Sequence, residues 1–223
     1  MDTLRRRLVP LVLVVGSALF VAGCSSPAAE PTPTVTDVIE EPVDLPEEEV
    51  DEEPMVYPAG ADYFFVADEG AVGKFTFPGD PYAPAEELRT IVGAPPLTYV
   101  AVTVDNRKGS VGVNMYELAA FDADGRKYTF STVDTFMDDW IQLVGTETNE
   151  DIDLYNRFVD AINANMVYAD VGQVVTFIMA SPDVDLPSEF TRIAVQPSGM
   201  GTDVEVLPVS EANGVDLSFE APQ

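Results

Sequence analysis

The stretch Leu97–Asp105 reads LTYVAVTVD and decides the fold of this chain. It is rich in β-branched and aromatic residues, which favour strands over helices. Val100, Val102 and Val104 recur at every second position, and a strand turns every second side chain to the same face. The stretch therefore predicts a strand of a sheet whose valine face lies in a core.

The residues that follow predict two more strands and two turns. Asn106–Ser110 is polar and contains a glycine, and Val111–Phe121 resumes an apolar extended pattern. Asp122–Gly125 separates that pattern from the strand-like run Arg126–Phe130, and its aspartate and glycine residues tolerate the backbone angles of a tight hairpin turn. Together with Leu97–Asp105, these segments predict a three-strand meander.

Further strand-like segments lie in the second half of the chain. Gln173–Ala180 and Phe190–Gln196 each end near a proline, and Val204–Val209 and Val215–Phe219 are shorter. Proline lacks a backbone amide donor and therefore stops a ladder of hydrogen bonds. Short strands at this spacing favour a two-sheet sandwich over a parallel sheet.

Two segments of helical periodicity interrupt the strands. Pro84–Val92 has apolar residues on one side, a proline at its start, and a glycine and a proline beyond its end, as helix boundaries often do. A longer helix is predicted to begin at Thr148 or Asn149, because either residue can cap a first turn that is acidic. Its apolar residues recur at helical spacing: Ile152, Tyr155, Phe158 or Val159, Ile162 and Met166. The sequence thus predicts a mainly β domain with one short and one longer helix inserted.

Three segments carry a resemblance to a known family: Tyr99–Asn106 (YVAVTVDN), Phe121–Tyr128 (FDADGRKY) and Gly172–Phe177 (GQVVTF). The region Val72–Val209 resembles the immunoglobulin-like extracellular domain of unknown function that is common in lipoproteins of Gram-positive bacteria, and it is similar in fold to a mycobacterial immunoprotective secreted antigen. The resemblance implies an immunoglobulin-like two-sheet sandwich but no activity, because its motifs are strands and turns. Phe136–Val167 departs from the family by being longer and more helical.

The amino terminus has the features of an export signal. Three arginines at 5–7 precede the apolar run Leu8–Ala22, which is shorter than the roughly 20 residues that a membrane-spanning helix needs. VAGC at 21–24 resembles the lipobox of bacterial lipoproteins, which implies cleavage of residues 1–23 and a diacylglyceryl lipid on Cys24. Such a lipid would attach the protein to the extracytoplasmic face of the cell membrane. The alternative is an ordinary secreted protein with a chance cysteine near its cleavage site.

Residues 24–56 have a composition unlike the rest of the chain. Proline recurs there among glutamate and aspartate, with no lysine or arginine. Such a segment cannot bury enough apolar surface to offset its ordering entropy, and repulsion between like charges extends it. We expect residues 24–56 to form an acidic disordered tether. Residues 57–223 are then a single domain with one core.

The charge of the chain limits its partners. It has 39 acidic and 11 basic residues, for a formal net charge of −28. Nucleic acids and anionic lipid surfaces are bound through lysine and arginine, so the sequence predicts neither as a partner of the protein surface. An acidic surface either attracts cations and basic partners or serves solubility, and solubility is the commoner use.

Several catalytic classes lack their residues in this chain. Histidine is absent and Cys24 is the single cysteine, which excludes Ser-His-Asp and Cys-His catalysis and the usual zinc sites. None of the three lysines follows a serine at the S-x-x-K spacing, and no G-x-x-x-x-G-K motif occurs. The sequence therefore predicts no catalytic residue, no cofactor and no metal ion.

Two groups of carboxylates have competing interpretations. Asp138 and Asp139 beside Trp140 can line a sugar site in which the indole stacks on a ring, but packing of Trp140 under a loop with solvated neighbours is favoured. Asp122–Gly125 superficially resembles the start of a calcium loop. Its fifth and twelfth positions hold Arg126 and a valine instead of oxygen ligands, so a hairpin turn without metal is favoured.

Two functions fit these observations. The first is a non-catalytic extracellular binding or interaction module, a rigid sandwich on a tether, with an unknown protein or glycan partner. The second is a cell-envelope glycan hydrolase with two carboxyls about 5 to 9.5 Å apart, one of which has a raised pKa. A transport-associated solute receptor is disfavoured, because a domain of this size is small for two lobes that close on a ligand.

Overall fold

The computed structural model describes residues 55–197 and 203–220. The predicted signal peptide, Cys24 and residues 24–54 of the predicted tether lie outside the described residues. No helix in the described part of the chain is long and apolar enough to cross a membrane. Tyr57 is buried and pairs with Phe190, so the fold has already begun at this residue.

Strands outweigh helices, which confirms the prediction of a mainly β domain. The strands within residues 55–197 and 203–220 are β1 (Tyr57–Pro58), β2 (Ala61–Val66), β3 (Val72–Phe77), β4 (Thr98–Asp105), β5 (Glu117–Phe121), β6 (Lys127–Thr132), β7 (Val174–Ser181), β8 (Glu189–Phe190), β9 (Arg192–Gln196), β10 (Val204–Glu205) and β11 (Leu207–Pro208). The helices of the same residues are α1 (Ala83–Val92), α2 (Val133–Ile141) and α3 (Asn149–Asn165).

The larger sheet is antiparallel and closes on itself in a sandwich-like arrangement. Its strand order is β10-β9-β5-β6-β7-β4-β3-β2-β11. The successive strands β10 and β11 are the two opposite ends of this series, where they pair with β9 and β2. β6 passes from one face to the other, because its first four residues pair with β5 and its last two, Ser131 and Thr132, pair with β7. β1 and β8 form a separate pair.

The core lies between the two faces of the sheet. Val100, Val102 and Val104 of β4 are fully buried in it, as their alternation predicts. Phe130 and Phe190 pack edge-on against Phe77 with ring centroids 5.2 and 5.1 Å apart, a geometry that aromatic pairs favour. Because alternate side chains of a strand point to opposite faces, the residues between the valines lie on the outer face of β4.

The predicted meander is correct only in its second half. β5 and β6 form the predicted hairpin, but β4 pairs with β3 and β7 and not with β5. Asn106 explains the difference. Its Nδ2 donates to the carbonyl oxygens of Val111 (2.9 Å) and Ala169 (2.8 Å), which ties the loop to the residues of the isolated Val113–Ala169 bridge. The chain therefore crosses to the other face after β4 instead of turning back.

The late strands agree in part with prediction. Gln173–Ala180 corresponds to β7, and Phe190–Gln196 contains β9. Val204–Val209 is divided into the two short strands β10 and β11. Val215–Phe219 is wrong as a strand, because it has no regular secondary structure and runs over the outer face of the sheet.

The structure has one more helix in its described part than predicted. The short helix is present as α1, with Gly93 in the left-handed conformation at its end. The longer helix is α3, and Thr148 and Asp151 form a reciprocal capping box at its start. The count of one short and one longer helix is wrong because α2 follows β6 without an intervening loop. A strand and a helix joined directly have no turn residues to mark the boundary.

The three helices form a layer on the outer face of β4 and β7. Leu88, Trp140 and Phe158 pack there with Tyr99 of β4 and Ala180 of β7 in a second core. This layer covers one end of the outer face and leaves the middle of that face uncovered.

Candidate functional site

The outer face of β2, β3 and β4 carries small and polar side chains. Tyr63, Phe75 and Val102 face the inner core, so alternation directs Asp62, Thr76 and Ala101 outward. Asp62, Thr76 and Ala101 are exposed. The uncovered strip over these three residues is the floor of a surface groove, which we call the sheet groove.

The sheet groove exists because β3 and β4 separate. Their pairing covers residues 72–74 and 103–105, ending at Lys74 and Thr103. The strands meet again where the Gly79 amide donates to the Tyr99 carbonyl oxygen (2.8 Å). The path from Lys74 to Gly79 is one residue longer than the path from Tyr99 to Thr103. An extra residue on one strand makes it bulge away from its partner, and Thr76 and Ala101 lie at the gap.

One side of the sheet groove is formed by residues 209–220, which we call the C-terminal strap. Val209 and Leu217 of the strap face Thr76 and Ala101 across a cavity of about 400 Å³. The Lys74 ammonium donates to the Leu217 carbonyl oxygen (2.8 Å) and lies 4.7 Å from the centre of the Phe219 ring. A cation over an aromatic ring is attracted to it, so Lys74 holds the strap on the sheet.

The opposite side is formed by the loop between β3 and α1. Pro78, Asp80 and Tyr82 of this loop border a cavity of about 410 Å³ that shares Thr76 and Ala101 with the first. A third cavity of about 450 Å³ continues past Leu97 to residues 184–188 and shares Pro78 and Tyr99 with the second. The three cavities therefore adjoin one another in a row along β4, and we include all three in the sheet groove.

The sheet groove has an anionic lining. Asp62 and Asp80 line it, and neither forms an ion pair within residues 55–197 and 203–220. Asp62 accepts a hydrogen bond from the Thr76 hydroxyl. Lys74 is the one basic side chain among the described residues that line the groove, so the two carboxylates outnumber it. A ligand would therefore meet negative charge.

A partly buried polar network holds Tyr99 in place beside the groove. The Glu86 carboxylate accepts from the Tyr99 hydroxyl (2.8 Å) and from two nitrogens of Arg89 (2.9 and 2.8 Å). The hydrogen bonds from Arg89 lower the pKa of Glu86 despite its partial burial. Burial, together with the hydrogen bond to Glu86, raises the pKa of Tyr99 well above its usual value. Both groups thus keep their ordinary charge states at neutral pH and attach α1 to β4.

The structure separates the carboxylates and the indole of the candidate sugar site. Trp140 packs into the second core under the helices and is 6% exposed. Asp138 and Asp139 lie on the exposed side of α2. The expected burial of Trp140 and exposure of its two acidic neighbours are therefore confirmed, so the three residues do not face one site. The expectation that a loop covers Trp140 is wrong, because it packs among the helices.

The Asp122–Gly125 segment forms the predicted hairpin turn between β5 and β6. The Asp122 carboxylate accepts from the amides of Asp124 (3.0 Å) and Arg126 (2.9 Å) and from the Tyr128 hydroxyl (3.0 Å). Desolvation opposes ionisation of Asp122, but these hydrogen bonds outweigh it and lower its pKa. Among the described residues, no group of three or more aspartate, glutamate, histidine or cysteine side chains could hold a metal ion.

Sequence reasoning did not find the sheet groove. The available signal was Ala101, a small residue at an outward position between the inward-facing Val100 and Val102. Its neighbours across the gap come from β2, β3 and the C-terminal strap, which are far away in sequence.

Comparisons with protein-family models, with curated proteins and with solved structures find no match for this chain.

Proposed function

We propose that this protein is a lipid-anchored, extracytoplasmic binding module whose ligand occupies the sheet groove. The observation that carries the proposal is the uncovered strip at Thr76 and Ala101, between two covered ends of one sheet face. Concave sites on rigid scaffolds are the usual places of ligand binding. The strands beneath the strip are packed on a buried core, so the floor of the site is preformed.

The anchor is part of the same proposal. The apolar run Leu8–Ala22 followed by VAGC supports cleavage before Cys24 and lipid on its thiol. The acidic, proline-rich residues 24–56 would then separate the domain from the membrane. Replacement of Cys24 by serine should abolish incorporation of a radioactive fatty acid, and unchanged labelling would contradict the lipid anchor.

The sandwich is further proposed to be immunoglobulin-like. The order β3-β4-β7-β6 corresponds to the A-B-E-D sheet of that fold, and β5-β9-β10 corresponds to C-F-G. Antiparallel pairing throughout these strands supports the assignment.

The direction of the pKa shifts of the carboxyl groups favours binding over glycan hydrolysis. A hydrolase of the paired-carboxylate type needs one carboxyl with a raised pKa, which an apolar setting provides. The described carboxyl groups with a shifted pKa are all shifted downward, because hydrogen bonds stabilise their charged forms: Glu86, Asp105, Asp122, Asp151 and Asp216.

The test uses the full chain in neutral detergent with two matched tryptophan variants. Ala101→Trp fills the floor of the sheet groove, whereas Ala164→Trp makes the same change on an exposed position of α3. We expect envelope components that bind the parent and Ala164→Trp proteins to be lost from Ala101→Trp. Equal capture by all three proteins, or release of reducing sugar from purified cell-wall glycan by the parent protein, would contradict the proposal.

A further inference from the structure

The shape of the sheet groove selects for an elongated ligand. Its three adjoining cavities follow the chain from Thr103 to Leu97, and each of them is open to solvent. Six steps along a strand at about 3.3 Å each give about 20 Å. An extended peptide of roughly six residues has this length. A compact ligand would fill only one of the three cavities.

The charge of the groove lining favours a cationic ligand. Asp62 lies on the floor and Asp80 on one side, and both carboxylates are exposed. Lys74 keeps its positive charge, because the Leu217 carbonyl and the Phe219 ring that contact its ammonium are neutral. The two carboxylates outnumber this one cation among the described residues that line the groove, so the lining is anionic. Lysine and arginine side chains can place their charged ends at these carboxylates.

The groove also offers apolar contacts between its charged positions. Pro78, Pro81, Leu97 and Leu186 line its central and far parts. The long aliphatic stems of lysine and arginine pack on such surfaces while their charged heads stay near carboxylates or water. Ala101 has the smallest side chain on the floor, which allows the backbone of a ligand to approach the sheet closely.

We propose that the sheet groove binds an extended peptide segment that carries lysine or arginine. This inference rests on the proposed function, because it names the ligand class of the same groove. The basic segment lies along β4, with its cationic side chains at Asp62 and Asp80 and its aliphatic parts against the prolines. The net charge of −28 adds long-range attraction that speeds the encounter.

The experiment measures the fluorescence anisotropy of a labelled (Lys-Ala)₅ peptide with the full chain in neutral detergent at physiological salt. Two variants each remove two carboxylates: Asp62→Asn/Asp80→Asn in the groove, and Asp138→Asn/Asp139→Asn on the exposed side of α2. We expect the groove variant to bind at least about tenfold more weakly, equivalent to about 1.4 kcal/mol, and the α2 variant to bind almost as the parent does. Equal weakening by both variants would mean general attraction to an acidic surface and would overturn the proposal.

Steric variants complete the test. Ala101→Trp and, separately, Thr76→Tyr should weaken peptide binding about tenfold without a change of charge, while Ala164→Trp should have no effect. Circular dichroism checks that each variant is folded, and the two groove variants are independent of each other. A hexameric N-acetylglucosamine oligosaccharide is the second probe. If it binds in an Ala101-dependent way and the peptide does not, the basic-peptide inference is overturned, whereas the groove stands as the binding site of the proposed function.

Discussion

The two ends of the outer sheet face are covered by different kinds of structure. At one end, three helices bury a second core that includes Phe158 and Trp140, and the Glu86 network attaches them to β4. At the other end, the C-terminal strap has no helix beyond a single turn at its start and is held mainly through Lys74 and Phe219. We therefore expect the helical end to unfold together with the sheet and the strap to detach locally.

The largest effect is expected for Phe158→Ala in the helical layer. Phe158 is fully buried, and removal of a buried aromatic side chain costs about 3–5 kcal/mol through lost burial and a residual cavity. The melting temperature should fall by roughly 10 °C for a domain of this size. A loss of less than about 1 kcal/mol in denaturant unfolding would mean that the helices are not part of the cooperative fold.

A smaller effect is expected for Glu86→Gln, which weakens the link between α1 and β4. Loss of charge-assisted hydrogen bonds costs about 1–2 kcal/mol here, because the pair is partly exposed. The folded-state pKa of Glu86 lies below its ordinary value of 4.5, so its stabilisation is complete above that pH and is lost as pH falls through the folded pKa. The parent protein should thus lose more stability than Glu86→Gln between about pH 5 and pH 3. Parallel pH profiles would rule out this role.

Phe219→Ala makes the same substitution in the strap as Phe158→Ala does in the helices. Phe219 is also buried, at 4% exposure, but the strap can detach without unfolding the sheet. We expect a loss of only about 1 kcal/mol in global stability, together with fast hydrogen exchange confined to residues 209–220. If Phe219→Ala instead lowers global stability as much as Phe158→Ala does, the distinction between the two coverings fails.

The smallest effect on stability is expected at the β5–β6 turn, which contacts neither the helical layer nor the C-terminal strap. Asp122→Asn/Asp124→Asn keeps an acceptor oxygen at both positions, so the turn should persist and the melting temperature should change little. Millimolar calcium should not raise the melting temperature of the parent protein, because the turn offers few oxygens and Arg126 adds positive charge beside them. A calcium-dependent rise that the double variant abolishes would make the turn a metal site.

The parts of the fold that the sequence predicts correctly depend on residues that lie close together in the chain. The valine alternation of β4, the hairpin at Asp122–Gly125 and the capping residues of α3 each lie within a short window. The sequence does not predict that the chain crosses to the other sheet face after β4. A polar loop has the same composition whether the chain turns back or crosses. Asn106 decides between these routes through a contact with Ala169, 63 residues away.

The candidate site could not be predicted for the same physical reason. It depends on an extra residue in β3 relative to β4 and on a contact between Lys74 and Leu217, 143 residues apart. No single window of sequence contains both elements.

The most direct test of the sheet groove as the binding site is a titration of the isotope-labelled full chain with the (Lys-Ala)₅ peptide, followed by amide chemical shifts. Binding in the groove predicts that the largest shifts cluster at Asp62, Thr76, Asp80 and Ala101, with the acidic exposed sides of α2 and α3 nearly unchanged. Shifts concentrated on the helices, or spread evenly over the acidic surface, would contradict the account.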